Sequence, residues 1–119
     1  MSRPAAGSIV LVDWRGGALP AEPSTLRPAV VVEDDGLFPD AYPNTLVVPL
    51  TRDQGLAYPS FSERIDPSPE NGASQTCWAL AHHVSSVSMK RVTQTPSRIT
   101  HDQLGNIRRR IALAVGYGR

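Results

Sequence analysis

Leu26-Arg27-Pro28-Ala29-Val30-Val31-Val32 and Asn44-Thr45-Leu46-Val47-Val48-Pro49-Leu50-Thr51 are the two segments whose reading decides the fold. Both are short apolar runs rich in β-branched side chains, flanked by loop-forming residues, and both read as strands. Three valines in a row, Val30 to Val32, leave no polar face. The first strand, over residues 27–33, is therefore expected to be buried on both sides or strongly bent. Pro28 has no backbone N–H and belongs near the strand's start. If the two strands pair antiparallel, the start of one lies beside the end of the other, and Arg27 meets Thr51. Glu22, in the preceding loop, is then within reach of both. A carboxylate, a guanidinium and a hydroxyl together suit phosphodiester chemistry without a metal.

Outward from this pair, residues 8–13 form an apolar run between Gly7 and Gly16-Gly17 and read as a strand. A loop rich in Gly, Pro, Ser and Thr covers residues 14–26, and an acidic, proline-containing loop covers 34–44. A weak strand is expected over 61–65 and a turn over 66–72, with Asn71-Gly72 near its end. Residues 76–81 and 84–92 read as the last strands, or as one long bent strand. The clearest local signal is a helix. Thr100 is placed to cap it, Gln103 completes a capping box, and Leu104, Ile107, Ile111, Ala114 and Val115 make one apolar stripe. Arg108, Arg109 and Arg110 complement the helix dipole and read as a solvated face, and Gly116 ends the helix. Short strands followed by one helix imply a mainly β fold, a small barrel or curled sheet with a packed helix.

The 119 residues are expected to form a single domain over 1–119, with a structured core over 7–116. Hydrophobic residues make up 40% and charged residues 19%, a globular balance. Eleven prolines exceed the roughly 5% average usage and favour short strands joined by rigid loops. A net charge of +1 does not announce a polyanion partner, so any such site must come from local clustering. Acids gather early (Glu33, Asp34, Asp35, Asp40) and bases late (Lys90, Arg91, Arg98), which permits a basic face. The single cysteine, Cys77, excludes an intramolecular disulfide and reads as a buried structural thiol. No apolar run approaches the roughly 18 residues of a membrane span, and Asp13 and Arg15 interrupt any signal-peptide core, so a cytoplasmic protein is expected.

The order of these motifs is similar to the MazF/PemK (Kid) family of type II toxin-antitoxin toxins. The resemblance rests on Gly7-Ser8-Ile9-Val10-Leu11-Val12-Asp13, Arg27-Pro28-Ala29-Val30-Val31-Val32, Val47-Val48-Pro49-Leu50-Thr51, Trp78 through Val87, and a helix ending Ala114-Val115-Gly116. It implies the SH3-like β-barrel of the MazF, Kid and CcdB toxins. It also implies a homodimeric, metal-independent endoribonuclease that needs no cofactor, cuts single-stranded mRNA at short motifs and halts translation. The family's partners are RNA and a cognate antitoxin. In MazF-like enzymes the arginine before the proline and the threonine after Pro-x are the usual catalytic pair, which Arg27 and Thr51 match. Some members place a glutamate five residues before the arginine, where Glu22 stands.

RNA contacts are expected from Trp14 and Arg15 at the start of the first loop, from Pro28, and from His83. His82 and His83, read as strand neighbours, would point to opposite faces and could not serve one site. Many relatives carry a different polar pair there, which bears on RNA sequence preference. Structural roles stay open beside these readings: an ion pair of Arg27 with Glu22 or Glu33, a turn-capping Thr51, a solvated Glu22, a core Trp14. Trp78 is expected in the core. Two other functions fit the same barrel, a CcdB-like gyrase poison and a degenerate RNA- or antitoxin-binding module. The chain lacks the Trp-Gly-Ile end of the former, finishing Gly116-Tyr117-Gly118-Arg119.

Overall fold

The computed structural model describes residues 3–14 and 26–118. Strands β1 (Ser8–Asp13), β2 (Leu26–Val31), β3 (Asn44–Thr51), β4 (Ser62–Ile65), β5 (Cys77–Leu80), β6 (Ser85–Ser88) and β7 (Val92–Arg98) make one sheet, and helix α1 (His101–Ala114) follows. Every pairing is antiparallel, in the order β4-β5-β3-β2-β1-β7, with β6 also on β3. The chain is thus mainly β with a C-terminal helix, as the sequence implies.

β3 is the hub. One edge pairs with β2 from Val47↔Val31 to Pro49↔Ala29. The other pairs with β6 over Asn44–Val47 and with β5 at Leu50↔Ala79 and Thr51↔Trp78. Between those two stretches the partner strand breaks into a 3-10 turn, Ala81–His83. A proline inside a central strand normally deletes a ladder bond. Pro49 is tolerated because the ladder is interrupted beside it. The bent strand expected over 76–92 is therefore three pieces: β5, the turn and β6, with a second 3-10 turn at Met89–Arg91.

β7 is an element that sequence reading did not anticipate. Its residues Val92-Thr-Gln-Thr-Pro-Ser-Arg98 are too polar for a core strand. Among the described residues the strand pairs only with β1 and lies at the sheet's edge, where Pro96 is allowed. Thr95 donates its hydroxyl to the Ile9 carbonyl at 2.5 Å, adding a side-chain tie to a bulged pairing.

Both faces of the central strands are buried, as the triple valine predicts. One face gives Ile9, Val30, Val48, Leu50, Ile65, Cys77 and Ala79 to a core completed by Leu104 and Ile107 of α1. The other gives Val10, Val12, Ala29, Val31 and Val47, joined by Val87 and by the flanking Trp14 and Val92. α1 begins with the anticipated capping box. Gln103 N–H donates to Thr100 Oγ1 at 3.1 Å, and Thr100 N–H donates to Gln103 Oε1 at 2.8 Å. It ends in a Schellman motif, with Gly116 at φ +83° and Tyr117 N–H bonded to the Ala112 carbonyl. The apolar stripe is buried only through Leu104 and Ile107 and half-buried at Ile111, while Val115 is 75% exposed.

The arginine triplet is not a uniformly solvated face. Arg108 donates to the Val32 and Glu33 carbonyls at 3.0 and 2.9 Å. Arg110 donates to Glu63 Oε1 at 3.1 Å and to the Pro59 and Ser60 carbonyls at 3.0 Å. Only Arg109 is exposed, bonded to Asn106 Oδ1 within the helix. Two of the three arginines therefore clamp α1 onto the β2–β3 and β3–β4 connections.

Ile107→Ala is expected to destabilise the protein by about 2–5 kcal/mol, the range for truncating a buried aliphatic side chain. Val115→Ala is expected to stay within about 0.5 kcal/mol. Urea unfolding of the two variants checks the contrast.

Candidate active site

Arg27 sits near the start of β2, opposite Val12 of β1. Thr51 closes β3. The β2–β3 ladder runs to Ala29↔Pro49, and continuing its register two residues sets Arg27 across from Thr51. Side-chain parity agrees. Arg27 shares a face with Ala29, and Thr51 shares one with Pro49. Arg27 and Thr51 are 7% and 1% exposed, a guanidinium and a hydroxyl embedded in the sheet's end rather than displayed on its surface. Pro28 is the third residue of β2, not its first, because the strand starts at Leu26. Lacking an N–H, it falls where the β2–β3 ladder has already stopped.

The turn after β3 fixes the threonine. Asp53 N–H donates to Thr51 Oγ1 at 3.0 Å, and Asp53 Oδ1 accepts from Gly55 N–H at 2.9 Å, capping the 3-10 turn Gln54–Leu56. A hydroxyl oriented this way is both acceptor and donor.

Nearby acids sort by position. Asp13 pairs with Leu26, one step out of register with Arg27, and so belongs to the opposite face. Glu33 lies six positions beyond Arg27, roughly 20 Å along an extended chain, and cannot be its partner. Glu33 instead accepts from Arg3 at 2.5 Å and from Leu46 N–H at 3.1 Å. Arg3 also donates to the Tyr42 and Asn44 carbonyls at 2.7 Å. Glu22 and Arg15 lie outside the described residues.

Trp14 packs against the second core cluster, with its indole N–H buried and unbonded among the described residues. The histidine pair departs from expectation. It occupies a 3-10 turn, not a strand, so the two-face argument fails. The His82 and His83 rings meet edge-on at 4.5 Å, and His82 also touches Phe61 and Tyr58 at 5.5 and 6.1 Å between centroids. Trp78 departs as well. It is half-buried on the Thr51 face, while its neighbour Cys77 enters the core. Strand alternation carries that signal, since a strand that buries Cys77 and Ala79 must turn Trp78 the other way.

With this geometry in place, the family assignment follows. The family of PemK-like, MazF-like toxins of type II toxin-antitoxin systems matches residues 5–115, and the chain belongs to it. No curated protein matches the chain in sequence. Among solved structures, MazF from Deinococcus radiodurans is 23% identical with a TM-score of 0.73, covering 95% of this chain and 96% of that one. MazF in a MazE–MazF complex from the same organism is 24% identical with a TM-score of 0.70, covering 97% and 98%. An endoribonuclease from a mycobacterial species, in complex with its cognate antitoxin, is 15% identical with a TM-score of 0.70, covering 96% of each chain. These likenesses establish the barrel-like MazF fold. No helix among the described residues is long and apolar enough to cross a membrane.

Burial pushes the Cys77 thiol above its usual range, against a smaller opposite pull from the Arg52 guanidinium. Less thiolate forms at a given pH, so native Cys77 is expected to react slowly with a disulfide reagent at pH 8 and quickly in urea. Equal rates in the two conditions would contradict a structural thiol.

Proposed function

We propose that this chain is the toxin of a type II toxin-antitoxin pair and acts as an endoribonuclease on single-stranded RNA without a metal. The observation that carries the reading is that Arg27 and Thr51 are both buried near the ends of two adjoining strands, where the β2–β3 register, continued two residues, sets them across from each other on one face, with the Thr51 hydroxyl oriented by Asp53 N–H. Membership of the toxin family supports it. So does the likeness in fold to a protein named as an endoribonuclease with its antitoxin.

The chemistry is the RNA's own. Its 2′-oxygen attacks the adjacent phosphorus, the bond from phosphorus to the 5′-oxygen breaks, and the products carry a 2′,3′-cyclic phosphate and a 5′-hydroxyl. The 2′-proton leaves as the bond forms, and the 5′-oxygen gains a proton as it departs. Arg27 neutralises the phosphoryl oxygens as charge builds on them, through a guanidinium that offers only N–H donors and no acceptor. For the same reason it is not the base. Thr51 donates a hydrogen bond to a phosphoryl oxygen. Glu22, five residues before Arg27, is the proton acceptor in this scheme. Trp14, Arg15 and His83 contact the RNA around the scissile phosphate, while Pro28, one step out of register with Arg27, projects from the opposite face and shapes the strand instead. DNA lacks the 2′-hydroxyl and is refused. The protein works as a homodimer in the cytoplasm, cutting mRNA at short motifs until its antitoxin covers the groove.

The test is purified wild type and Arg27→Ala on a long single-stranded RNA in EDTA, with product ends mapped. Wild type is expected to cut at a recurring short motif and leave cyclic phosphate ends. Arg27→Ala is expected to lose at least about 100-fold, the scale for removing one oxyanion-stabilising donor. A well-folded wild type that leaves several RNAs intact overturns the reading.

A further inference from the structure

One row of residues crosses the sheet through the candidate site. Val12 pairs with Arg27, register continuation sets Arg27 across from Thr51, Thr51 pairs with Trp78, and Trp78 pairs with Arg64. Cross-strand partners project from the same face, so all five side chains share it. Exposure rises along the row. Val12, Arg27 and Thr51 are buried, Trp78 is half-buried, and the Arg64 side chain is 67% exposed. The face thus opens to solvent at its β5–β4 end. At about 4.8 Å per strand, the Trp78 backbone lies one strand from Thr51 and Arg64 one strand further out.

From this row we infer that Trp78 is a base-stacking, positioning residue for the RNA and that Arg64 holds the next phosphate outward. The inference rests on the nuclease reading above. An aromatic face accepts any base, and a guanidinium one strand away accepts the backbone that links successive bases. A phosphate clamp followed by an indole therefore suits a single strand whose unpaired base turns aside next to the scissile bond.

The outer guanidinium is held in place. Arg64 Nε donates to Asp66 Oδ1 at 2.9 Å, and the Thr76 hydroxyl donates to the same oxygen at 2.9 Å. These two bonds, Arg64's first, hold the Asp66 carboxyl below its usual range. Asp66 takes one of the five N–H donors that a guanidinium carries. Thr76 stands two residues before Trp78 on the same strand line, so the network braces the segment that presents the indole.

The test measures binding of a single-stranded RNA carrying 2′-O-methyl groups, which block attack, together with cleavage of the unmodified RNA. Trp78→Ala is expected to bind about 5- to 150-fold more weakly, the scale of one lost stacked base, and Trp78→Phe to recover most of that loss. Arg64→Gln is expected to lower the salt dependence of binding by about one phosphate contact. At saturating RNA, wild type is expected to lose more tryptophan fluorescence than Trp78→Phe, where Trp14 is the remaining indole, and a purely structural Trp78 would add no loss of its own. Wild-type affinity in a folded Trp78→Ala, or equal losses in wild type and Trp78→Phe, overturns the inference and leaves the nuclease reading standing. A wild type that neither binds nor cuts RNA overturns both.

Discussion

Two prolines set where the sheet's ladders end, and the candidate site stands in the opening they leave. Pro28 faces the β2–β3 seam, where it has no N–H to extend a ladder that stops at Ala29↔Pro49. Pro49 turns its nitrogen to β3's other edge, because Leu46, an odd number of residues away, is the one whose carbonyl accepts from Val32 N–H across the seam. Beyond that point β2 keeps pairing with β1, and β3 turns to β5, so Arg27 and Thr51 stand at a parting of strands. On β3's other edge the interruption beside Pro49 separates β5 from β6. That break lets β5 take its own register, with Trp78 opposite Thr51. A continuous partner strand would have sealed this end of the sheet with main-chain hydrogen bonds.

The rest of the molecule holds that opening in shape. α1 caps one face with Leu104 and Ile107, and Arg108 and Arg110 bond the carbonyls of the connections that run under it. At the far end the buried Arg3–Glu33 pair ties the N-terminal segment to the Tyr42 and Asn44 carbonyls. Arg3 also lies over the Phe38 and Tyr42 rings at 5.7 and 5.8 Å. A buried pair of this kind is weak evidence for net stability, but removing one partner strands the other charge. Its evident effect is positional, since it fixes the register at which β3 begins.

The first three strands, the helix and its caps were legible because each carries a local signal: a β-branched run, a capping box, a glycine at positive φ. The antiparallel pairing of β2 with β3, whose continued register sets Arg27 across from Thr51, was legible because antiparallel strands of known ends have few registers to choose from. What was not legible depends on neighbours. β7 is a polar strand, and nothing in Thr93-Gln-Thr-Pro-Ser-Arg98 marks it apart from a loop until β1 offers it an edge. The His82-His83 turn is set by the ladder break beside Pro49, not by the histidines. Arg108 and Arg110 read as solvated because helical spacing says nothing of the carbonyls waiting beneath them. Trp78, expected in the core, is half-buried because β5 turns Cys77 and Ala79 into the helix-side core and Trp78 the other way.

Fold and family fix the scaffold, while the proposed chemistry rests on two side chains acting as one device. The most direct test of that claim is a double-mutant cycle on RNA cleavage under single-turnover conditions. Arg27→Lys and Thr51→Ala, each expected to leave a measurable rate, are compared with the doubly substituted protein. If Arg27 and Thr51 serve one phosphate, the double variant loses little more than the worse single one, as residues that act as a unit do. Losses that simply multiply would show two independent contributions and contradict the account.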